Sequence, residues 1–207
     1  MICTVTAAAA GAAVFRIIER CCTRGGRALN GSLHAWLCRA SGAAAILYCL
    51  HRYEGTGACL AMFGFLCILA AVTLTDLYHR EIPDICWAAA MILAFLSVWT
   101  LPGLSVWERA AGSLCVSVPF LVIALIVPGS FGGGDIKLMA ACGLFLGWKV
   151  TAVSAAAAVL TAGGSIVYGM VAGRRKIGDV IAFGPFLCIG MLVGIIWGNR
   201  VIEWYVS

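Results

Sequence analysis

The sequence predicts an all-α membrane protein, a bundle of about eight membrane-crossing helices and of six at the minimum. Three observations predict it. Hydrophobic residues make up 63% of the 207 and charged residues only 11%, against about a quarter charged in a soluble domain. Most of the surface must therefore face lipid. Apolar runs near the crossing length of about 20 residues recur along the whole chain, which excludes a soluble domain on one anchor. The arginines and lysines gather at the ends of these runs and in the short stretches between them. The expectation is one integral membrane domain over residues 1–207, with no room for a large soluble domain.

Taken in order, the first run is 2–18. Its start, MICTVTAAAAGAAVF, has no basic residue, and its arginines follow the apolar stretch. That order fits a first membrane helix and not a signal peptide. Runs at 34–50, 57–75, 84–101 and 109–128 follow. The run at 136–148 is short, which predicts a tilted or partial crossing. Runs at 150–172 and 180–199 complete the set. Small residues such as Ala155 to Ala158 and the pair Gly190 and Gly194 predict closely packed helices.

Orientation follows from the basic residues. The odd-numbered connections and their helix ends hold Arg16, Arg20, Arg24, Arg27, Arg39, Arg80, Lys137, Arg174, Arg175 and Lys176. The even-numbered side holds Arg52, Arg109, Lys149 and Arg200. The excess puts the odd-numbered connections in the cytoplasm, and leaving out Arg39, which falls near a helix start, does not change the sign. The net charge of +5 is explained by these topology signals and by anionic headgroups, so nucleic acid is not an expected partner and the lipid bilayer is. Most of the eleven cysteines lie within apolar runs, where cysteine behaves as a small hydrophobe. Cys21, Cys22 and Cys38 share one loop with His34, but no C-x-x-C pair exists, and zinc is not expected.

Only nine residues are acidic, and five of them, Asp76, Glu81, Asp84, Asp135 and Asp179, fall at cytoplasmic helix ends. Ionisable groups beside hydrocarbon are costly and point to function. Asp76 ends the apolar run CLAMFGFLCILAAVTLTD, and Asp135 follows Gly132, Gly133 and Gly134. Two crossings lie between the two acids, so both are on the same face whichever face that is. Two neighbouring carboxylates resist ionising together. One keeps its proton, and the pair can activate water against a peptide carbonyl with no metal and no nucleophilic serine. The glycine run lets a substrate backbone approach closely. Taken by itself, GSFGGGD reads equally well as a turn with an aspartate at a helix start. Pro83 suits the first turn of a helix, and Asp84 complements its dipole. Glu81, His79 and Arg80 read as solvated loop residues. Asp179 reads as an exposed ion pair among basic residues, and Lys137 as a partner of Asp135 or of headgroups.

At these residues the chain resembles a family. TDLYHREIPD at 75–84 resembles the first motif of the prepilin peptidases, or type IV leader peptidases. GGGDIKLMAACGLFLGW at 132–148 is similar to the second, with its GxGD signature, and AFGPFLCIG at 182–190 to the opening of the last helix. Order and spacing agree over about residues 57–199. The resemblance implies an intramembrane-type aspartic endopeptidase in the bacterial cytoplasmic (inner) membrane, cutting the basic leader from prepilins or pseudopilins after a glycine, at the cytoplasmic face. It implies catalytic roles for Asp76 and Asp135, places Gly132 and Gly134 in the GxGD motif, and sets Gly184, Pro185 and Phe186 near the site. Gly133, Lys137, Pro83 and Asp84 join them as substrate-binding or site-shaping residues. Proteolysis requires no cofactor. Bifunctional members also methylate the new N-terminus with S-adenosylmethionine, and many carry a zinc-binding domain with two C-x-x-C pairs. Here the loop at about 19–33 is short, basic and without those pairs, which counts against methylation. Two other readings remain: a transporter, whose acids should lie near mid-membrane, and a catalytically inactive pilin-binding scaffold.

Overall fold

A computed structural model describes residues 2–22, 32–53, 55–127, 129–174 and 181–207. Seven elements follow one another: α1 (Ile2–Cys22), α2 (Ser32–Arg52), α3 (Thr56–His79), α4 (Asp84–Thr100), α5 (Val106–Ile126), α6 (Gly133–Val171) and α7 (Gly184–Val206). Among the described residues there is no strand. Helices α3, α5, α6 and α7 are each long and apolar enough to cross a membrane, and α4 is a shorter apolar helix. The protein is thus a multi-pass helical membrane protein. Large apolar side chains stay exposed along these helices, among them Leu60, Phe95, Leu125 and Leu160, as a lipid-facing surface requires.

The chain forms two compact units, Met1–Gly103 and Leu104–Ser207. In the first, α1 and α2 pack through Gly11 and Gly42, where a methyl on either would strike the other's carbonyl. Phe15 of α1 meets Phe63 of α3 with ring centroids 6.4 Å apart. Helices α3 and α4 run antiparallel, with Gly57 beside Thr100 and Gly64 beside Leu93. Their other ends carry Asp76 and Asp84.

In the second unit, α5 begins on a capping box: the Ser105 hydroxyl accepts from the Glu108 amide at 3.2 Å, and the Ser105 amide donates to Glu108 Oε2 at 3.0 Å. Glu and Ser at this spacing satisfy two orphan amides, which sets the start at Val106, three residues before the expected 109. Helix α6 is two helical stretches joined at Gly147, whose φ of 76° and ψ of 165° are not helical. The two stretches match the expected runs at 136–148 and 150–172, with their connection reduced to one glycine. Internal contacts show that the chain reverses there. Gly112 of α5 abuts Gly143 and Gly147, while Phe120 abuts Phe131, so α5 and the first stretch are antiparallel. Gly198, Gly194 and Gly190 of α7 face Val150, Ser154 and Ala158 in turn, so α7 and the second stretch are antiparallel. Helix α7 starts beside Phe131, at Phe183, and its Gly198 lies level with Val150. It therefore runs parallel to the first stretch of α6, and the second stretch must turn back. The expected close packing at Gly190 and Gly194 is present, because a methyl at either would collide with Ser154.

Several expected boundaries shift. Helix α3 runs past 75 to His79, and α7 extends to Val206 instead of ending at 199, with no breaker after Gly198. It starts at Gly184 and not at 180, since Pro185 occupies its first turn and proline is favoured only there. Cys21 and Cys22 belong to α1, and His34 and Cys38 to α2, so these four residues do not share one loop as expected. Helices form there because the apolar periodicity continues through them.

Candidate active site

Asp76 belongs to the last turn of α3. The helix does not stop at the acid as the sequence suggested. It continues to His79, and Arg80 closes it in the left-handed region (φ 55°), its amide donating to the Asp76 carbonyl at 3.0 Å. The preceding Thr75 turns its hydroxyl back onto the Ala71 and Val72 carbonyls at 2.9 and 3.1 Å, so it makes no demand on the space around the acid. Asp76 is only 6% exposed. Burial of this degree is rare for aspartate and is the local electrostatic peculiarity of the first unit.

The residues after it are of a different kind. His79, Arg80 and Glu81 are exposed, but His79 is the last residue of α3 and not part of the loop expected to hold it, because the helix continues one turn past the acid. Pro83 lies one position ahead of the helix, at the N-cap with φ −60°, and not in the first turn. Asp84 takes the first helical position, is exposed, and accepts from the Trp87 indole N–H at 2.9 Å. This is the helix-start role expected of it.

In the second unit, Gly132 is the N-cap of α6, and Asp135 stands in the first turn. The Gly132 amide donates to Asp135 Oδ2 at 3.3 Å, and the Asp135 amide donates to the Gly132 carbonyl at 3.1 Å. Asp135 is 9% exposed. The acid therefore does help start the helix, but from the third helical position and while buried. Gly132 and Gly133 are exposed and Gly134 is half-buried. A methyl at Gly133 would meet nothing within 4 Å, and its φ is not positive. No fold requirement for glycine is visible there, although glycine costs up to about 1 kcal/mol relative to alanine in a helix. Lys137 points to an exposed surface. Asp179, Arg175 and Lys176 lie outside the described residues.

Gly184 is buried, with Pro185 and Phe186 half-buried at the start of α7. What joins this segment to the glycine run is a residue the sequence reading passed over, Phe131. Its ring stacks on Phe120 of α5 (centroids 4.2 Å apart, planes 6°) and meets the edge of Phe183 at 5.3 Å and 61°. Phe120 and Phe183 are 6.0 Å apart. The second and third motifs thus meet at one end of the second unit. Among the described residues no three His, Cys, Asp or Glu side chains group as a metal site.

Fold and site together define a helical membrane protein with two buried aspartates at helix termini, one ending a helix and one opening another behind a glycine run. Comparison with known proteins gives the family. A family model described as the type IV leader peptidase family matches residues 63–173, and the chain belongs to that family. It is 33% identical over 150 residues to the prepilin leader peptidase/N-methyltransferase of Bacillus subtilis (strain 168), covering 69% of this chain and 58% of that relative. Proteins of the same name from Legionella pneumophila and Stutzerimonas stutzeri are each 29% identical, over 152 and 150 residues. They cover 68% and 67% of this chain and 50% of each relative. The chain spans about half the length of the curated relatives it matches. No solved structure matches it.

Proposed function

We propose that this chain is an aspartic endopeptidase, one integral membrane domain over 1–207, that removes the basic leader from prepilins or pseudopilins after a glycine at the cytoplasmic face of the inner membrane. The observation that carries the reading is the burial of Asp76 and Asp135 at helix termini, 6% and 9% exposed, with two apolar helices, α4 and α5, between them in sequence. Helix-end placement favours this reading over an ion pathway at mid-membrane.

The chemistry follows from a shared proton. The ionised carboxylate takes a proton from a water molecule, and the water oxygen bonds to the scissile carbonyl carbon. The protonated partner donates to the carbonyl oxygen, giving a tetrahedral diol. Collapse of the diol breaks the C–N bond, and the leaving amine takes up a proton from the pair. Burial strengthens the coupling that keeps one carboxyl protonated. The exposed glycine run offers a backbone with no side chains against which an extended peptide can lie. Acids such as Glu81, Asp84 and Asp179 suit a basic leader, and the apolar remainder of the substrate reaches the site by diffusion within the bilayer.

The test is a cleavage assay with the purified protein in lipid and a prepilin-type peptide carrying a basic leader and a glycine before the cut. Mass spectrometry locates the product. A cut after the glycine is expected, with Asp76→Asn and Asp135→Asn each lowering the rate by roughly 10²–10⁴-fold or more while the protein stays folded. Substantial cleavage by either variant would falsify that residue's assignment. The relatives' names also carry an N-methyltransferase activity. Adding S-adenosylmethionine tests it here, through a gain of one methyl group on the new N-terminus.

A further inference from the structure

We infer that Phe131 is a positioning residue for Asp135, acting through the ring cluster it forms with Phe120 and Phe183. The inference rests on Asp135 being one of the two acids proposed above. The segment from Gly129 to Gly134 contains four glycines among six residues, and Gly129 has a φ of 86°. Such a segment has little preference of its own for one backbone path. Phe131 supplies its one large side chain, and that ring is held from two sides. It lies flat on Phe120, itself 6% exposed, at 4.2 Å, and against the edge of Phe183 at 5.3 Å. Both offset-stacked and edge-to-face pairs are favoured geometries of the aromatic quadrupole.

The consequence reaches the acid in a single step. The residue after Phe131 is Gly132, whose amide holds Asp135 Oδ2 at 3.3 Å and whose carbonyl accepts from the Asp135 amide. Fixing the Phe131 ring fixes the Gly132 peptide, and that peptide fixes one oxygen of the carboxylate. Phe183 is the N-cap of α7, so the same ring also sets the GGGD turn against the Gly184–Pro185–Phe186 segment. Phe131 itself is not proposed to touch reacting atoms. It keeps a glycine loop, needed bare on its outer side, from wandering.

Two measurements on the full chain in lipid micelles test this. Hydrogen exchange read by mass spectrometry should show Phe131→Ala speeding exchange in peptides covering about 129–140 on the order of tenfold or more, the effect of losing two ring contacts, with α1–α4 unchanged. Prepilin-peptide cleavage should show kcat per folded enzyme falling by about tenfold or more and KM moving by less than about threefold. Phe131→Tyr, which keeps the ring, should restore both. A merely structural residue would lower the yield of folded protein and leave kcat per folded molecule unchanged. Unchanged exchange in Phe131→Ala overturns the proposal, and so does faster exchange with an unchanged kcat. If Phe131→Ala does not fold, Phe183→Leu removes the edge contact and keeps the stacked pair. It should give a smaller rise in exchange with a smaller fall in kcat, and no change in either overturns the proposal. If the unsubstituted protein cuts no prepilin-type peptide, the peptidase reading fails, and the exchange measurement still decides whether the ring cluster holds the loop.

Discussion

Gly133 is the residue at which the fold and the proposed function make opposite demands. Nothing among the described residues fills the space a methyl would take there, and alanine is the better helix former by up to about 1 kcal/mol. Gly133→Ala is therefore expected to leave thermal unfolding in detergent unchanged or slightly raised, while slowing cleavage about tenfold or more. A rate equal to that of the unsubstituted protein would remove the substrate-backbone role from this glycine. The two helices between Asp76 and Asp135, α4 and α5, were legible because they needed only a count of apolar runs. Asp84 was legible for the same kind of local reason, a carboxylate at the first position of a helix. Phe131 was not legible. Its partners Phe120 and Phe183 stand 11 and 52 positions away in the sequence, and no periodicity or motif marks three rings that meet only after three segments have packed.

Among the elements, α6 is the one whose construction bears most on the site. Its first stretch is fixed at the Asp135 end by the rings. At its other end two contacts hold it to α5. Gly143 and Gly112 approach so closely that a methyl on either would enter the other's backbone. Arg109, 3% exposed, donates from Nη1 to the Leu144 carbonyl at 3.2 Å, in the last turn before Gly147. Carbonyls at a helix end lose in-helix partners and carry partial negative charge, so a guanidinium there is favourable. Arg109→Met is expected to lower stability by on the order of 2 kcal/mol, and Gly143→Ala by about 1–3 kcal/mol or more. Denaturant or thermal unfolding in detergent measures both, and an unchanged midpoint in either would show that the contact is dispensable. The reversal near Gly147 was legible as the break between the runs at 136–148 and 150–172, but its form was not, since a single glycine inside LFLGW makes the whole connection. The start of α5 is set by Ser105 and Glu108, an S-x-x-E signature that an apolar run beginning at 109 leaves out.

On the scale of the molecule, apolar patterning carried the assignment of a multi-pass helical membrane protein, because crossing a bilayer leaves a backbone few solutions other than helices. Topology gives the prediction that belongs to this scale. Glu81, in the loop after α3, and Ser130, in the loop after α5, are exposed and separated by two crossings. Cysteines placed singly at these two positions should react with a membrane-impermeant maleimide from the cytoplasmic side, and a cysteine at Gly103, in the intervening connection, from the opposite side. The unsubstituted protein serves as the blank for native thiols, among which Cys21 and Cys115 are the exposed ones of the described residues. Labelling of positions 81 and 130 from opposite sides would separate the two acids and end the two-carboxylate reading.

The shortness of the first stretch of α6 has a consequence for depth. From Gly133 to Gly147 it rises roughly 20 Å, against a hydrocarbon thickness of about 30 Å. Its far end, at Gly147, lies beside the Glu108 backbone and two positions before Lys149, charged residues suited to an interface. At the Asp135 end, α5 continues about 9 Å beyond Phe120, and its Leu125 and Ile126 are each 73% exposed to what must be lipid. The start of α6 that carries the carboxylate thus lies in a dip, short of the level that the end of α5 reaches. A dip works as a ruler. On the proposed function, peptide bonds outside the bilayer would pass above it and bonds deep in an apolar helix would stay below it, so the bond presented at that level would be the one at the junction between a polar leader and its apolar helix.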